Sequence, residues 1–135
     1  MLATMRRSDF RDDDGAVHAS EPEPGVLHYV VEGRLSTELV RRFIDFAEQS
    51  PSDTMRFFHD WWEVDGYDNQ ARYALTSWTL KHRKRIQSAD ILTRSKIVKM
   101  GVAVGNIALG GLAKLHDNPA SFREALTSVT GKTTT

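Results

Sequence analysis

The sequence has no cysteine and only four prolines in 135 residues. The absence of cysteine excludes disulfides, thiolate nucleophiles and cysteine-ligated zinc. The first residues, MLATMRRSDF, lack the apolar segment of a secretory signal, so we expect a cytoplasmic protein. Basic and acidic side chains number 18 each, so no whole-molecule field attracts nucleic acid.

Long apolar runs are also scarce. One uncharged stretch, Met100–Ala113, is shorter than the roughly 20 residues that a bilayer-spanning helix needs. It also contains Asn106 and four glycines. The stretch therefore predicts a buried helix that ends in a turn, and no membrane span.

Hydrophobic periodicity predicts strands and helices in alternation. The strands are expected at Ala16–Ser20, Val26–Glu32, Thr54–His59, Ala89–Thr93 and Leu112–His116, and the helices after the caps Ser36, Asp68, Ser95 and Asn118. This order predicts an α/β domain with a single mixed, mostly parallel sheet of about five strands, packed against about four helices whose main members share one face. The domain spans residues 16–130, after a flexible N-terminal lead or edge segment at 1–15 and before a frayed tail at 131–135.

The helix from Ser95 to about Leu109 is apolar around most of its circumference. Such a helix is expected to be buried on more than one side. Gly101 and Gly105 lie one turn apart and are expected to let another backbone approach closely.

The stretch Met55–Lys84 holds all three tryptophans. Its segment Asp60–Tyr67, DWWEVDGY, is predicted to be an acidic loop. If the chain is extended there, Trp61 and Trp62 point to opposite faces, so that one enters the core while the other is exposed, covers a pocket or contacts a partner. The alternative is that both rings pack on the following helix, against Tyr67 and Trp78.

His59 and Asp60 begin the richest group of titratable side chains, and an imidazole beside carboxylates can bind a metal or act as a base. Neighbours on a strand point to opposite faces, however, and acidic loop residues are commonly solvated. The five histidines include no pair at metal-ligand spacing, and no set of nucleophile, base and orienting group stands out. We therefore expect no enzyme, no metal and no cofactor.

Several strings resemble the SpoIIAA-like family of STAS-related α/β domains, which is also grouped with the CRAL-TRIO fold. They are GVLHYVVEGRLSTE, RFFHDWWEVDGYDNQAR, the helix with Trp78, and SKIVKMGVAVGNIALGG. The resemblance spans about Ala16–Val129. It implies a small non-enzymatic domain that docks to protein partners or, in some relatives, holds an apolar ligand.

The sequence departs from that family at one functional position. In STAS-type anti-sigma-factor antagonists, the strand that corresponds to Thr54–His59 is followed by a turn with a phosphorylatable serine. Here the segment is DWWEVDGYD, which has no serine or threonine between Asp60 and Asp68. The phosphorylation switch therefore cannot be carried over.

The first functional hypothesis is a regulatory or protein-interaction module whose contact surface includes Trp61, Trp62, Tyr67 and the neighbouring helix. Its partner would be another protein or a second copy, as in a homodimer. The second hypothesis is a carrier of an apolar, lipid-like ligand between sheet and helices, around Trp78, Gly101 and Gly105, which predicts a cavity. The third is an enzyme with a polar site at His59 and Asp60.

Overall fold

The structure, a computed structural model that describes residues 5–131, is built on a mixed sheet with helices on both faces. Six strands and four helices lie in this part of the chain. The strands are β1 (Arg6–Arg11), β2 (Gly15–Glu23), β3 (Val26–Leu35), β4 (Met55–Tyr67), β5 (Ile86–Leu92) and β6 (Ala113–His116). The helices are α1 (Thr37–Glu48), α2 (Asn69–Lys81), α3 (Lys96–Ala108) and α4 (Pro119–Thr130), and a short 3-10 turn (Arg83–Arg85) follows α2.

The strands lie in the sheet in chain order, from β1 to β6. The pairs β1–β2 and β2–β3 are antiparallel, whereas β3, β4, β5 and β6 run parallel to one another. Each parallel step is made through a crossover helix, as the alternation of elements requires. The predicted α/β class and mixed, mostly parallel sheet are confirmed, with six strands rather than about five.

The additional strand is β1, so the prediction of a flexible lead is wrong for Arg6–Arg11 and its edge-segment alternative is right. The Arg6 guanidinium donates to Glu21 Oε1 over 2.6 Å, and its carbon lies 4.0 Å from the centre of the Phe46 ring. Burial alone would raise the pKa of Glu21, but hydrogen bonds from Ser50, Gly25 and Arg6 bring that pKa below its ordinary value. These contacts dock β1 on the sheet. Residues 1–4 of the lead and 132–135 of the tail lie outside the described residues.

Local capping chemistry sets three of the helix starts. Ser36, Ser95 and Asn118 each accept the backbone N–H group of the third residue of the helix that they precede, α1, α3 and α4 respectively. Asp68 also stands at the start of α2 as predicted, but its carboxylate accepts from Arg34 Nε over 2.7 Å instead of capping the helix. The helix α2 ends at Lys81, because the chain tightens into the 3-10 turn.

The largest difference from the sequence prediction is β4, which continues through the segment expected to be a loop. Glu32 pairs with Glu63, Gly33 with Val64, and Leu35 with Tyr67, so the second half of β4 runs beside β3. Within this half, Val64 is buried while Glu63 and Asp65 are exposed. That alternation is the period-two pattern of a strand, although acidic residues and Gly66 disguise it.

The three helices α1, α2 and α3 cover one face of the sheet, and α4 covers part of the other. Phe43 of α1, Ala71 of α2 and Val98 of α3 join the larger core cluster, which contains Tyr29, Phe57 and Trp61 of the sheet. On the opposite face, Phe122 of α4 packs with Val26, Phe58 and Leu92. No helix in residues 5–131 is both long enough and apolar enough to cross a bilayer.

Candidate functional site

Strand β4 sends its two adjacent tryptophans to opposite faces of the sheet, as an extended chain must. Trp61 is only 3% exposed and lies in the core beneath α1, with its ring centre 6.5 Å from that of Phe43. Trp62 is half-buried on the α4 face, where the Arg94 guanidinium lies 5.2 Å from its ring centre. Trp61 is therefore a core residue of the described chain, and the two rings lie on opposite faces of the sheet.

His59 is enclosed by aromatic rings on the same face as Trp61. Its ring centre lies 4.9–5.8 Å from those of four neighbours, Tyr29, Phe43, Phe57 and Trp61. Burial, reinforced by His28, lowers the pKa of His59 to about 3, so the imidazole is neutral. Its Nδ1 has no hydrogen-bond partner among residues 5–131.

Asp60 points away from His59, toward the α4 face. Its Oδ1 accepts from the Trp62 N–H over 3.2 Å, and its charge opposes the burial that lowers the pKa of His28. The two side chains therefore do not converge on one substrate atom, as strand alternation predicted. They do not form an acid–base pair.

The two glycines of α3 face Tyr67 and α2. A Cβ added at Gly101 would lie 2.6 Å from the Tyr67 ring, and one at Gly105 would lie 3.1 Å from Thr76 Oγ1. Close approach at these positions is as predicted, but the group at Gly101 is an aromatic ring rather than a second backbone. Tyr67, at the end of β4, is thereby held between the sheet and α3.

Beneath this contact lies a cavity of about 70 Å³ between the sheet, α2 and α3. Apolar ligand sites for drug-sized molecules have volumes of roughly 300–1,000 Å³, so a fatty chain does not fit without rearrangement. Four of the predicted site residues line the cavity and Trp78 does not. The four are Trp61, Tyr67, Gly101 and Gly105.

Trp78 instead joins α1 to α2. Its ring packs edge-on against Phe57 with centres 5.9 Å apart, and its Nε1 donates to Glu48 Oε2 over 3.4 Å. The His82 ring covers it from the end of α2, at 4.5 Å. Trp78 thus has a packing role between α1 and α2 and does not line the cavity.

The most exposed apolar surface in the described chain belongs to α3. We call it the α3 outer face, and it comprises Ile97, Met100, Val104 and Ile107, which are 60%, 68%, 52% and 83% exposed. The opposite side of the same helix buries Val98, Gly101 and Gly105. The prediction that α3 is buried on more than one side is therefore wrong, because within residues 5–131 only its inner side is covered.

The outer sides of α1 and α2, which cover the same face of the sheet, can be compared with the α3 outer face. The outer side of α1 carries charged residues, among them Arg41, Arg42 and Asp45. The charged residues of α3 are Lys96 and Lys99, both near its start, and the helix has no acidic residue. On α2, Tyr73 and Leu80 lie seven positions apart, hence on one side of that helix, and are also more than half exposed. Grouped exposed apolar side chains mark interaction sites.

A buried polar chain links β5, β6 and α4. His116 Nε2 lies 2.6 Å from Asp90 Oδ2, and its Nδ1 lies 2.7 Å from Ser121 Oγ. Both Asp90 and His116 are buried. The set of nucleophile, base and orienting group that the sequence analysis did not find is therefore present as a hydrogen-bonded chain.

The geometry of these hydrogen bonds differs from that of the catalytic triad of a serine hydrolase. In such enzymes the serine contacts Nε2 and the carboxylate contacts Nδ1, whereas here the two nitrogens are exchanged. The Ser121 N–H, a neighbouring donor, is already bonded to Asn118 Oδ1 over 2.9 Å. Neither of the two main cavities in the described chain is lined by Asp90, His116 or Ser121. The network ties the start of α4 to the sheet.

Acidic side chains gather at the other end of the sheet, around an open hollow of about 340 Å³ beside the β1–β2 turn. Asp12 there accepts the N–H groups of Asp14 and Gly15, and Glu32 pairs with Arg11. Within residues 5–131 no group of three or more histidine, aspartate or glutamate side chains is placed to hold a metal ion.

No protein-family model matches the chain, and no curated protein matches it. A solved structure does. It is an uncharacterized protein of the DUF3478 family with a SpoIIAA-like fold from Shewanella loihica PV-4, which is 18% identical and aligns with a TM-score of 0.54 over 93% of this chain and 98% of that one. The chain has a SpoIIAA-like fold. The SpoIIAA-like architecture confirms what the sequence strings implied for the fold, and at this identity the similarity establishes the fold alone.

Sequence reasoning missed two features of this SpoIIAA-like domain, the α3 outer face and the buried polar network. The α3 outer face had a signal, because Ile97, Met100, Val104 and Ile107 form a second apolar stripe opposite Val98 and Val102. The polar network had a weaker sequence signal, the single aspartate Asp90 inside the apolar strand ADIL. Its partners, His116 and Ser121, become neighbours of Asp90 only through the fold.

Proposed function

We propose that this protein is a non-enzymatic interaction module with a SpoIIAA-like fold, which docks to a protein partner through the α3 outer face. The observation that carries the proposal is that Ile97, Met100, Val104 and Ile107 are each more than half exposed on one side of a single helix. The inner side of α3 is already packed, so these side chains add nothing to the core of the described chain.

The energetics favour a covered face. Burying a large aliphatic side chain contributes about 1.5–3 kcal/mol relative to leaving it exposed. Four such side chains on a rigid helix give a partner a substantial apolar anchor, and a helix bound against them would follow the helix-in-groove or helix-pairing mode of recognition. The apolar surface of Tyr73 and Leu80 on α2 enlarges the area on offer.

The non-enzymatic character rests on the sites themselves. His59 and Asp60 face opposite sides of the sheet, and the Ser121 hydroxyl is held by a buried histidine rather than presented in a cleft. The chain also lacks the serine that is phosphorylated in STAS antagonists. The segment Asp60–Tyr67, where that serine would be expected, is the second half of β4. A regulatory role would therefore act through docking, and we propose that it takes place in the cytoplasm.

The carrier of an apolar ligand is the alternative, and the cavity under Tyr67 is the observation on which it depends. At about 70 Å³ this cavity is smaller than the engineered cavities of about 150 Å³ that hold a benzene molecule. Native mass spectrometry of the protein as purified decides this alternative, because a retained lipid would appear as a mass excess.

In-cell photo-crosslinking tests the docking proposal. A photoreactive phenylalanine analogue at Ile107 is expected to give a defined protein adduct, identified by mass spectrometry. The matched control is the same analogue at Arg41, which is exposed on the charged side of α1 and should give no such adduct. Absence of any adduct at Ile107, or equal adducts at both positions, would refute the α3 outer face as a docking site.

A further inference from the structure

The spacing of the α3 outer face is that of a coiled-coil seam. Ile97, Met100, Val104 and Ile107 follow one another at intervals of three, four and three residues. These are the a and d positions of two successive heptads, which in a coiled coil are covered by the a and d side chains of a facing helix. The seam predicts a helix as the occupant rather than a loop or a strand.

The same spacing is unchanged when the helix is reversed. The midpoint of the four residues is position 102, so an antiparallel copy of α3 pairs Ile97 with Ile107 and Met100 with Val104. Each pair joins an a position to a d position. A face that is complementary to itself after a twofold rotation is what an isologous dimer requires.

The charges of α3 fit that arrangement. Lys96 and Lys99 stand in its first turn, which has no acidic residue, although cations are unfavourable at the positive end of the helix dipole. In an antiparallel pair, these lysines lie beside the C-terminal end of the other helix, where a cation is favourable. A parallel pair would bring the lysines of both copies together at one end.

We infer that the partner of the α3 outer face is a second copy of this chain, joined by antiparallel pairing of the two α3 helices. This inference rests on the proposed docking function and names its partner. The helix has 13 residues and is therefore about 20 Å long, so α3 alone gives a small interface. Tyr73 and Leu80 of the adjacent α2 are the apolar residues available to extend it. A small interface of this kind predicts a dissociation constant on the order of micromolar.

Disulfide trapping tests both the dimer and its direction, and the chain has no native cysteine to interfere. Two single variants are made, Met100→Cys and Val104→Cys, each checked for native circular dichroism. When they are mixed and oxidised, antiparallel pairing places the two cysteines opposite each other, within the roughly 4.4–6.8 Å between Cα atoms that a disulfide spans. Oxidation of the mixture should give a heterodimer that links positions 100 and 104, identified by peptide mass spectrometry.

Each variant alone is the first control. In the antiparallel pair, two copies of Met100→Cys are offset by about 6 Å along the helix axis in addition to the separation of the helices, so rapid crosslinking is not expected. Arg41→Cys, on the charged side of α1, is the second control and should give no disulfide-linked dimer. Rapid self-crosslinking of Met100→Cys without the mixed product would indicate parallel pairing and overturn the inference.

The dimer can fail while the docking function stands. If none of the cysteine variants crosslinks, and the photoreactive residue at Ile107 captures a different protein, the second copy is refuted and the α3 outer face is still a docking site. If neither experiment gives a product, both are refuted. An adduct at Ile107 whose mass is twice that of the chain, together with the mixed disulfide, supports both.

Discussion

His59 lies in an environment that does not suit its polar side chain. It is an imidazole held neutral among four aromatic rings, with Nδ1 lacking a partner in the described chain. A buried polar atom without a hydrogen bond lowers stability by about 1–3 kcal/mol. His59 therefore contributes to the core through packing. A phenylalanine side chain has a similar shape and could replace the imidazole at this position.

The low pKa of His59 makes the protein sensitive to acid. Its pKa falls from 6.5 in the unfolded chain to about 3 in the folded protein, so the unfolded chain binds the additional proton between these values. The contribution of neutral His59 to the free energy of unfolding is fully present above about pH 6.5 and is lost as the pH falls toward 3. The loss approaches about 1.4 kcal/mol for each pH unit in that window.

We expect His59→Phe to be more stable than the wild type at pH 7 and to lose much less stability between pH 6.5 and 4. Urea unfolding at a series of pH values measures this. Ser128→Ala, which removes a hydroxyl that bonds only to its own helix, is the control and should keep the wild-type pH dependence. An unchanged slope for His59→Phe would show that His59 is not the acid-sensitive group.

Gly101 makes a second prediction at the residue scale. A Cβ there overlaps the Tyr67 ring at 2.6 Å, so Gly101→Ala should lower the free energy of unfolding by about 1–3 kcal/mol despite alanine's better helix propensity. The double variant Gly101→Ala/Tyr67→Ala should be less destabilised than the sum of the single variants, because the overlap is gone. Additive effects in this double-mutant cycle would contradict the contact.

The polar chain of Asp90, His116 and Ser121 belongs to the element scale, because it fastens α4 to β5 and β6. Ser121→Ala should cost about 1 kcal/mol, and Asp90→Leu should cost more, since it leaves a buried imidazole nitrogen unpaired. Ser128→Ala, whose hydroxyl bonds only to its own helix, should change stability little. Chemical denaturation of the three variants measures the differences.

A structural role for the network of Asp90, His116 and Ser121 also predicts that the Ser121 hydroxyl is chemically unreactive. A fluorophosphonate probe should not label Ser121 in the wild-type protein. Labelling that disappears in Ser121→Ala would show an activated nucleophile and would contradict the non-enzymatic account.

The elements that the sequence could predict are those set by local chemistry. The caps Ser36, Ser95 and Asn118 and the strands around Tyr29 and Asp90 follow from residues close together in the chain. The second half of β4 does not, because Glu63–Tyr67 is extended only through its pairing with β3. β1 likewise depends on the distant contact of Arg6 with Glu21.

The candidate site was predicted in part. The sequence indicated the contact of Gly101 with a close neighbour and the divergence of Trp61 and Trp62. It also showed that α3 is apolar on both sides, but periodicity does not report which side the rest of the chain covers. Only the fold shows that Ile107 is exposed while Val98 is buried.

At the scale of the whole molecule, the chain has equal numbers of basic and acidic side chains, and one of its helices, α3, has an apolar outer side. The helices α1, α2 and α3 cover one face of the sheet, and α3 lies on its parallel half, where it contacts β4 and β6. We propose that this outer side is an interface between two copies of the chain. On that view, the apolar surface of α3 is the reason the domain associates, and the aromatic core is the reason its shape persists.

Sedimentation velocity across a dilution series tests that claim most directly. The wild-type protein should pass from dimer to monomer on dilution through the micromolar range. Val104→Gln/Ile107→Gln should weaken the association by about 100-fold or more, because each copy loses two apolar side chains from the interface. Arg41→Gln/Arg42→Gln, with the same number of changes on the charged side of α1, should behave as the wild type does. Identical sedimentation of the wild type and the Val104→Gln/Ile107→Gln variant at every concentration would contradict the account.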